Sequence, residues 1–131
     1  MVIDTSAVVC ILLGEADAGR IATAMETGSP RLMSAANLLE ASIVIEARKG
    51  DAGGRELDLL MYRSEIEIVA VDRIQAEAAR AAWRMFGKGR HPAALNYGGC
   101  FAYALAKIQR MPLLFCGDDF SRTDITRIPI A

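Results

Sequence analysis

The sequence predicts an α/β fold with a mostly parallel central sheet, on three observations. Short apolar runs of strand length occur at "MVID" (1–4), "IEIVAV" (66–71) and "PLLFC" (112–116). Stretches of helical periodicity separate them, and strands alternating with helices indicate parallel strand–helix–strand units. The length of 131 residues, with 53% hydrophobic and 24% charged side chains, fits a single domain over 1–131 with one sizeable core.

The elements follow in order. "MVID" is a strand ending in an acid. Thr5 or Ser6 can cap a first helix over Ala7 to Leu13. A second helix covers Asp17 to Glu26. "SPRLMS" then leads to a long helix from Ala35 to Arg48, with Ser34 as its cap and Gly50 beyond its end. "DAGGRELDLLMYRSE" reads as a turn and another helix. After the strand "IEIVAV", Asp72 caps an alanine-rich helix that ends near Phe86. "GKGRHP" is a basic, glycine-rich loop. A helix follows from Asn96 to Gln109, then the buried strand "PLLFC", the turn "GDDF" and a possible last strand "RIPI".

Composition excludes several classes. A formal net charge of −1 argues against bulk electrostatic attraction to nucleic acid, although a local basic patch is compatible with it. The apolar runs are far shorter than a membrane span requires. The N-terminus is apolar but lacks a basic leader and carries Asp4 early, so no signal peptide is expected and the chain reads as cytoplasmic. Cys10, Cys100 and Cys116 read as buried reduced thiols. No CxxC spacing or Cys/His cluster suggests zinc.

The chemistry sits in the acids. Asp4 follows the first strand, and Asp118 and Asp119 follow a later one. Each could simply cap a helix or form a turn. In a parallel sheet, however, both strand ends face the same edge, where sites form. Glu40 lies in "ANLLEASIVIEA", with Ala36 and Val44 one turn away on either side, so it stands on or beside an apolar stripe. A carboxylate there is costly unless it is paired or bound to a cation. Carboxylates without His or Cys suit hard ions such as Mg²⁺ or Mn²⁺. Such ions activate water and neutralise phosphate, which points to a nuclease or a phosphatase.

Four segments in register, "VIDTSAVV", "LLEASIVIEARKG", "GKGRHPAALNYGGCFAYALAK" and "LLFCGDDFSRTDI", resemble PIN-domain ribonuclease toxins of the VapC class over essentially the whole chain. The resemblance implies a PIN-like three-layer α/β/α sandwich. It implies a Mg²⁺- or Mn²⁺-dependent endoribonuclease that cleaves RNA by metal-activated water. It also implies a cognate VapB-like antitoxin as partner, and a homodimer. Position by position, Asp4 matches the first metal-binding acid and Glu40 the second. Asp118 or Asp119 matches the last acid region, Asp119 standing at the more regular position. Ser6 matches a hydroxyl that bonds a carboxylate or a metal-bound water. The remaining family acid belongs in "NYGDC"; this chain reads "NYGGC", so Gly99 stands in its place. The departure removes a metal ligand and predicts weak metal binding and impaired cleavage.

In the basic loop, Lys88 and Arg90, together with Arg122 further on, are candidates to grip RNA phosphates. The plainer reading is a solvated loop. His91 is a poor candidate for a general base. Trp83, Tyr62 and Phe86 read as core or interface, and the faces near Leu12, Leu13, Leu59, Leu60 and Met61 as core or partner surface. Two other functions compete. One is a catalytically inactive PIN-type module that holds an antitoxin or RNA. The other is a phosphotransfer domain, but its haloacid-dehalogenase form wants a second acid two residues after Asp4, where Ser6 stands.

Overall fold

The computed structural model describes residues 1–131. Four strands form one sheet: β1 (Val2–Ile3), β2 (Arg31–Ser34), β3 (Ile66–Val69) and β4 (Leu113–Leu114). Their order is β3-β2-β1-β4, and every pairing is parallel. Five helices connect and cover them: α1 (Thr5–Leu12), α2 (Ala18–Met25), α3 (Ala35–Arg63), α4 (Arg73–Phe86) and α5 (Tyr97–Gln109).

The strands are apolar at successive positions because both faces of the sheet are covered. Side chains alternate between faces along a strand. Val2, Leu32 and Leu113 therefore pack on one face with α4 and α5. Ile3, Met33 and Leu114 pack on the other with residues of α1, α2 and α3. The sheet thus divides the expected single core into two clusters, the middle layer of a three-layer α/β/α sandwich.

Helix starts follow short polar side chains. Ser34 accepts the Ala36 amide at 3.3 Å, Asp72 that of Gln75 at 2.9 Å, and Asn96 that of Gly99 at 2.7 Å. The start of α1 differs from expectation. Its cap is Asp4, whose Oδ2 accepts the Ser6 amide at 2.9 Å, so the helix begins at Thr5. Gly50 interrupts α3 where the sequence places a helix end: its φ of 63° and ψ of −155° are non-helical and separate two helical stretches across a kink, a conformation glycine adopts without steric cost.

Two strands depart from the reading. "RLMS" forms β2, a run too short for its periodicity to be distinctive. It is fixed instead by neighbours, since Arg31 donates to the carbonyls of Met25 at 2.6 Å and Ser64 at 2.9 Å. "RIPI" is not a strand. Only an isolated bridge joins Arg127 to Leu113, and Pro129 has no N–H to extend a ladder.

The topology selects one place for a site. From β1 the chain adds β2 and then β3 on one side, and β4 returns on the other side of β1. The order reverses between β1 and β4, and ligands bind in the crevice beyond the carboxyl ends of strands at such a switch.

Ile3 is fully buried, whereas Leu39 on α3 is 62% exposed. Ile3→Ala is expected to destabilise the chain by about 2–5 kcal/mol, and Leu39→Ala by less than about 0.5 kcal/mol. Urea unfolding of the two variants checks the assignment of inside and outside.

Candidate active site

A cleft of about 220 Å³ opens at the switch point, and its lining includes Asp4, Ser6, Glu40, Asn96, Gly99 and Asp119. Each comes from a different device of the fold. Asp4 leaves β1 with its N–H donating to the Leu114 carbonyl at 3.0 Å, which fixes it against β4. Ser6 is the second residue of α1, and its Oγ accepts the Cys116 amide at 3.0 Å. Glu40 is half-buried on α3, five residues past the first helical position. Asp119 lies in the turn after β4. Asp118 and Asp119 are both exposed, but only Asp119 lines the cleft.

The cleft is electrostatically unbalanced. Asp4 is only 6% exposed. Burial pushes its carboxyl from the ordinary 3.8 up to about 6, hydrogen bonds from Ser6 draw it back, and the charges of Glu40 and Asp119 push it up again. No Lys or Arg lines the cleft, and none of the four ion pairs in the structure involves these three acids. A buried carboxylate among acids, with no cation from the protein, is a donor set suited to a hard divalent ion.

Three residues that were not among the predicted site residues hold this arrangement. Asn37 is fully buried one turn before Glu40. Its Nδ2 donates to the Gly98 carbonyl at 2.9 Å, and its own carbonyl accepts the Thr5 hydroxyl at 3.1 Å. Asn37 therefore ties α3 to the starts of both α1 and α5. Its Oδ1 is buried without a donor. Gly98 is the second. A Cβ there would overlap both carboxylate oxygens of Glu40, so glycine lets that carboxylate lie against the α5 backbone. Asn96, the third, caps α5 and also lines the cleft. A polar residue three positions before Glu40 was the one sequence signal for Asn37.

The basic candidates lie elsewhere. Lys88 borders a separate apolar groove with Trp83, Leu95, Tyr97 and Phe101. Arg90 stacks over the Trp83 ring at 4.7 Å. Arg122 is exposed beyond the Asp119 turn, and none of the three lines the acidic cleft. His91 accepts the Ala93 amide at its Nδ1 and meets Phe86 edge-on, the roles of a turn residue. Of the aromatic candidates, Tyr62 is 82% exposed, while Phe86 packs against the core.

The comparisons with known proteins agree with this architecture. The model of the PIN domain family matches residues 1–125. Ribonuclease VapC30 of Mycobacterium tuberculosis is 57% identical over 130 residues, 99% of each chain. Ribonuclease VapC of Mycolicibacterium smegmatis is 55% identical over 128 residues, covering 98% of this chain and 99% of that one. Among solved structures, Mycobacterium tuberculosis VapC20, a sarcin–ricin loop cleaving toxin, superposes with a TM-score of 0.78. It shares 15% identity over 97% of each chain. A toxin–antitoxin complex from Klebsiella pneumoniae gives a TM-score of 0.68 at 18% identity, over 94% of this chain and 92% of that one. At such identities the two structures speak for the fold.

Asp4 gives a pH prediction for the chain held in a chelator. Its folded pKa lies above the ordinary value, so the folded state holds the proton more tightly than the unfolded state. Stability therefore falls as pH rises from about 4 to about 6, and the full penalty is present at neutral pH. Asp4→Asn keeps a capping oxygen and removes the charge. At pH 7.5 it is expected to raise stability by an amount on the order of 2–3 kcal/mol and to flatten the slope between pH 4 and 6, as measured by thermal unfolding.

Proposed function

The chain belongs to the PIN-domain family, in its VapC ribonuclease branch, and on that premise we propose that it is the toxin of a toxin–antitoxin pair, an endoribonuclease whose cleavage is impaired by Gly99. The observation that carries the reading is the convergence of Asp4, Glu40 and Asp119 on one cleft without a protein cation. These three acids are the residues that would hold Mg²⁺ or Mn²⁺. When bound, such an ion supplies Lewis-acid activation of water and neutralises charge on a phosphodiester.

The chain's own groups have definite tasks in this reading. Ser6 holds the Asp4 carboxylate through its amide and fixes the β4 end through its hydroxyl. Gly98 leaves room for the Glu40 carboxylate, and Asn37 sets the distance between α3 and α5. Water must attack phosphorus while the bond to the leaving ribose oxygen breaks, and cleft acids without a cation repel the anionic substrate. An acid at position 99 would add a ligand on the first turn of α5, where the helix dipole favours it. Lys88, Arg90 and Arg122 remain candidates for RNA phosphates outside the cleft.

A partner surface adjoins the site. Leu39, Ile43 and Tyr97 are 62%, 60% and 82% exposed, and with Phe101 they line an apolar depression that also touches Glu40 and Gly98. An apolar face of this kind suits an amphipathic antitoxin segment or a second copy in a homodimer. The missing acid at 99 favours one further reading, a module that holds its antitoxin or RNA without cutting.

An RNase assay of this chain and its Gly99→Asp variant, with Mg²⁺, with Mn²⁺ and with a chelator, separates the readings. A Cβ at position 99 would meet Leu95 Cδ1 at 2.7 Å, Asn96 Oδ1 at 3.0 Å and Leu95 Cγ at 3.3 Å, so the buried Leu95 must shift to admit it, and thermal unfolding of Gly99→Asp checks first that the variant folds. Gly99→Asp should raise cleavage on the order of 10- to 100-fold, and the chelator should abolish it. In that background Asp119→Asn or Gly98→Ala should return cleavage to baseline, while Asp118→Asn should spare it. Equal rates for the parent chain and Gly99→Asp would remove the impairment. Equal rates with and without chelator would remove the metal. A variant that stays silent in every condition would favour the binding module.

A further inference from the structure

The fold assembles a second cluster of ligand atoms that the acidic cleft does not use. Cys10 Sγ, a carboxylate oxygen of Glu15 and Cys116 Sγ all lie within 4.8 Å of one another. Cys10 is fully buried on α1, Cys116 is half-buried after β4, and Glu15 is exposed. Spacing hid this group, because 106 positions separate the two cysteines.

Local backbone geometry builds it. α1 ends in a left-handed turn at Gly14, φ 63°. The Gly14 amide donates to the Ile11 carbonyl at 3.2 Å and the Glu15 amide to the Cys10 carbonyl at 3.1 Å. That paired closure folds Glu15 back beside Cys10. From the other side, the Cys116 amide is anchored on Ser6 Oγ. Ser6 and Cys10 are four residues apart on α1 and so share a face.

We propose that Cys10, Glu15 and Cys116 form a second cation site, for a soft or borderline divalent ion of the zinc class. Thiolates select such ions, whereas the all-oxygen cleft suits hard ones. Ligand atoms around a tetrahedral zinc stand roughly 3.5–3.8 Å apart, so the cluster needs only a small contraction. The three protein ligands leave a fourth position, which opens to solvent beside Glu15. The carboxylate distinguishes this site from a disulfide pair, which has no use for one. Occupation would fasten the segment carrying Asp119, three residues after Cys116, to the helix carrying Ser6.

The test uses the full chain, reduced and stripped with chelator, then titrated with Co²⁺ and Zn²⁺. One equivalent of Co²⁺ should produce a sulfur-to-cobalt charge-transfer band that stoichiometric Zn²⁺ bleaches, and Zn²⁺ should raise Tm. Cys116→Ser should abolish the band, and Glu15→Gln, a surface change, should weaken Zn²⁺ binding about tenfold or more. Cys100→Ser and Asp119→Asn should leave the band intact. Absence of the band in the parent chain, its survival in Cys116→Ser, or unchanged Zn²⁺ affinity in Glu15→Gln would each overturn the assignment.

Discussion

One buried carboxylate governs the arrangement of this molecule. Asp4 ends the first strand, caps the first helix and faces two further acids, all at a position 6% exposed. Capping and site chemistry look like competing explanations for such a residue. Here one carboxylate does both. The Ser6 amide that satisfies the helix start also lowers the cost of the charge, and the helix dipole acts in the same direction. Burial and the neighbouring acids still prevail, which leaves the cleft in need of positive charge. The walls around it follow from this: the parallel β1–β4 pairing, the Ser6–Cys116 bond and the Asn37 bridge each fix one acid-bearing segment relative to Asp4.

What could be read from the sequence was local or topological. Helix starts at Ser34 and Asp72 follow from side-chain chemistry within three residues. The meeting of Asp4 with the β4 turn follows from strand ends sharing one edge of a parallel sheet. Glu40 was visible because a carboxylate beside an apolar stripe needs an explanation. What was not legible depends on partners distant in the chain. β2 is four residues whose strand state is fixed by its two neighbours and by Arg31. Asn37 looks like any polar residue in a first helical turn until its amide meets Gly98, 61 positions away. The choice between Asp118 and Asp119 depends on how one turn is wound, which no spacing rule encodes.

The two candidate ion sites share a support. Ser6 joins Asp4 through its amide and the Cys116 backbone through its hydroxyl. Ser6 lines the acidic cleft, and its hydroxyl anchors the backbone of Cys116 in the second cluster. Donor softness keeps the two sets chemically separate, while the shared backbone makes them mechanically adjacent. A change that pulls Cys116 toward Cys10 acts on the same loop that carries Asp119.

The adjacent glycines of α5 have different physical standing. Glycine in a helix costs about 1 kcal/mol relative to alanine, so each calls for a reason. Gly98 has one in packing, since the Glu40 carboxylate occupies the space a Cβ would take. Gly99 meets the core instead, since a Cβ there would stand 2.7 Å from Cδ1 of the buried Leu95. Its surroundings are the Leu95 and Asn96 side chains, and its φ is not in the left-handed region. An aspartate there would gain from the dipole and from the unpaired amides of the first turn. It would also place a fourth carboxylate beside one already pushed up to about 6. Without a cation the second effect opposes the first, and glycine is the quieter residue. With a cation the balance reverses, because each added carboxylate then becomes a ligand. An aspartate at position 99 would therefore tie stability to metal occupancy, as the buried Asp4 carboxylate already does.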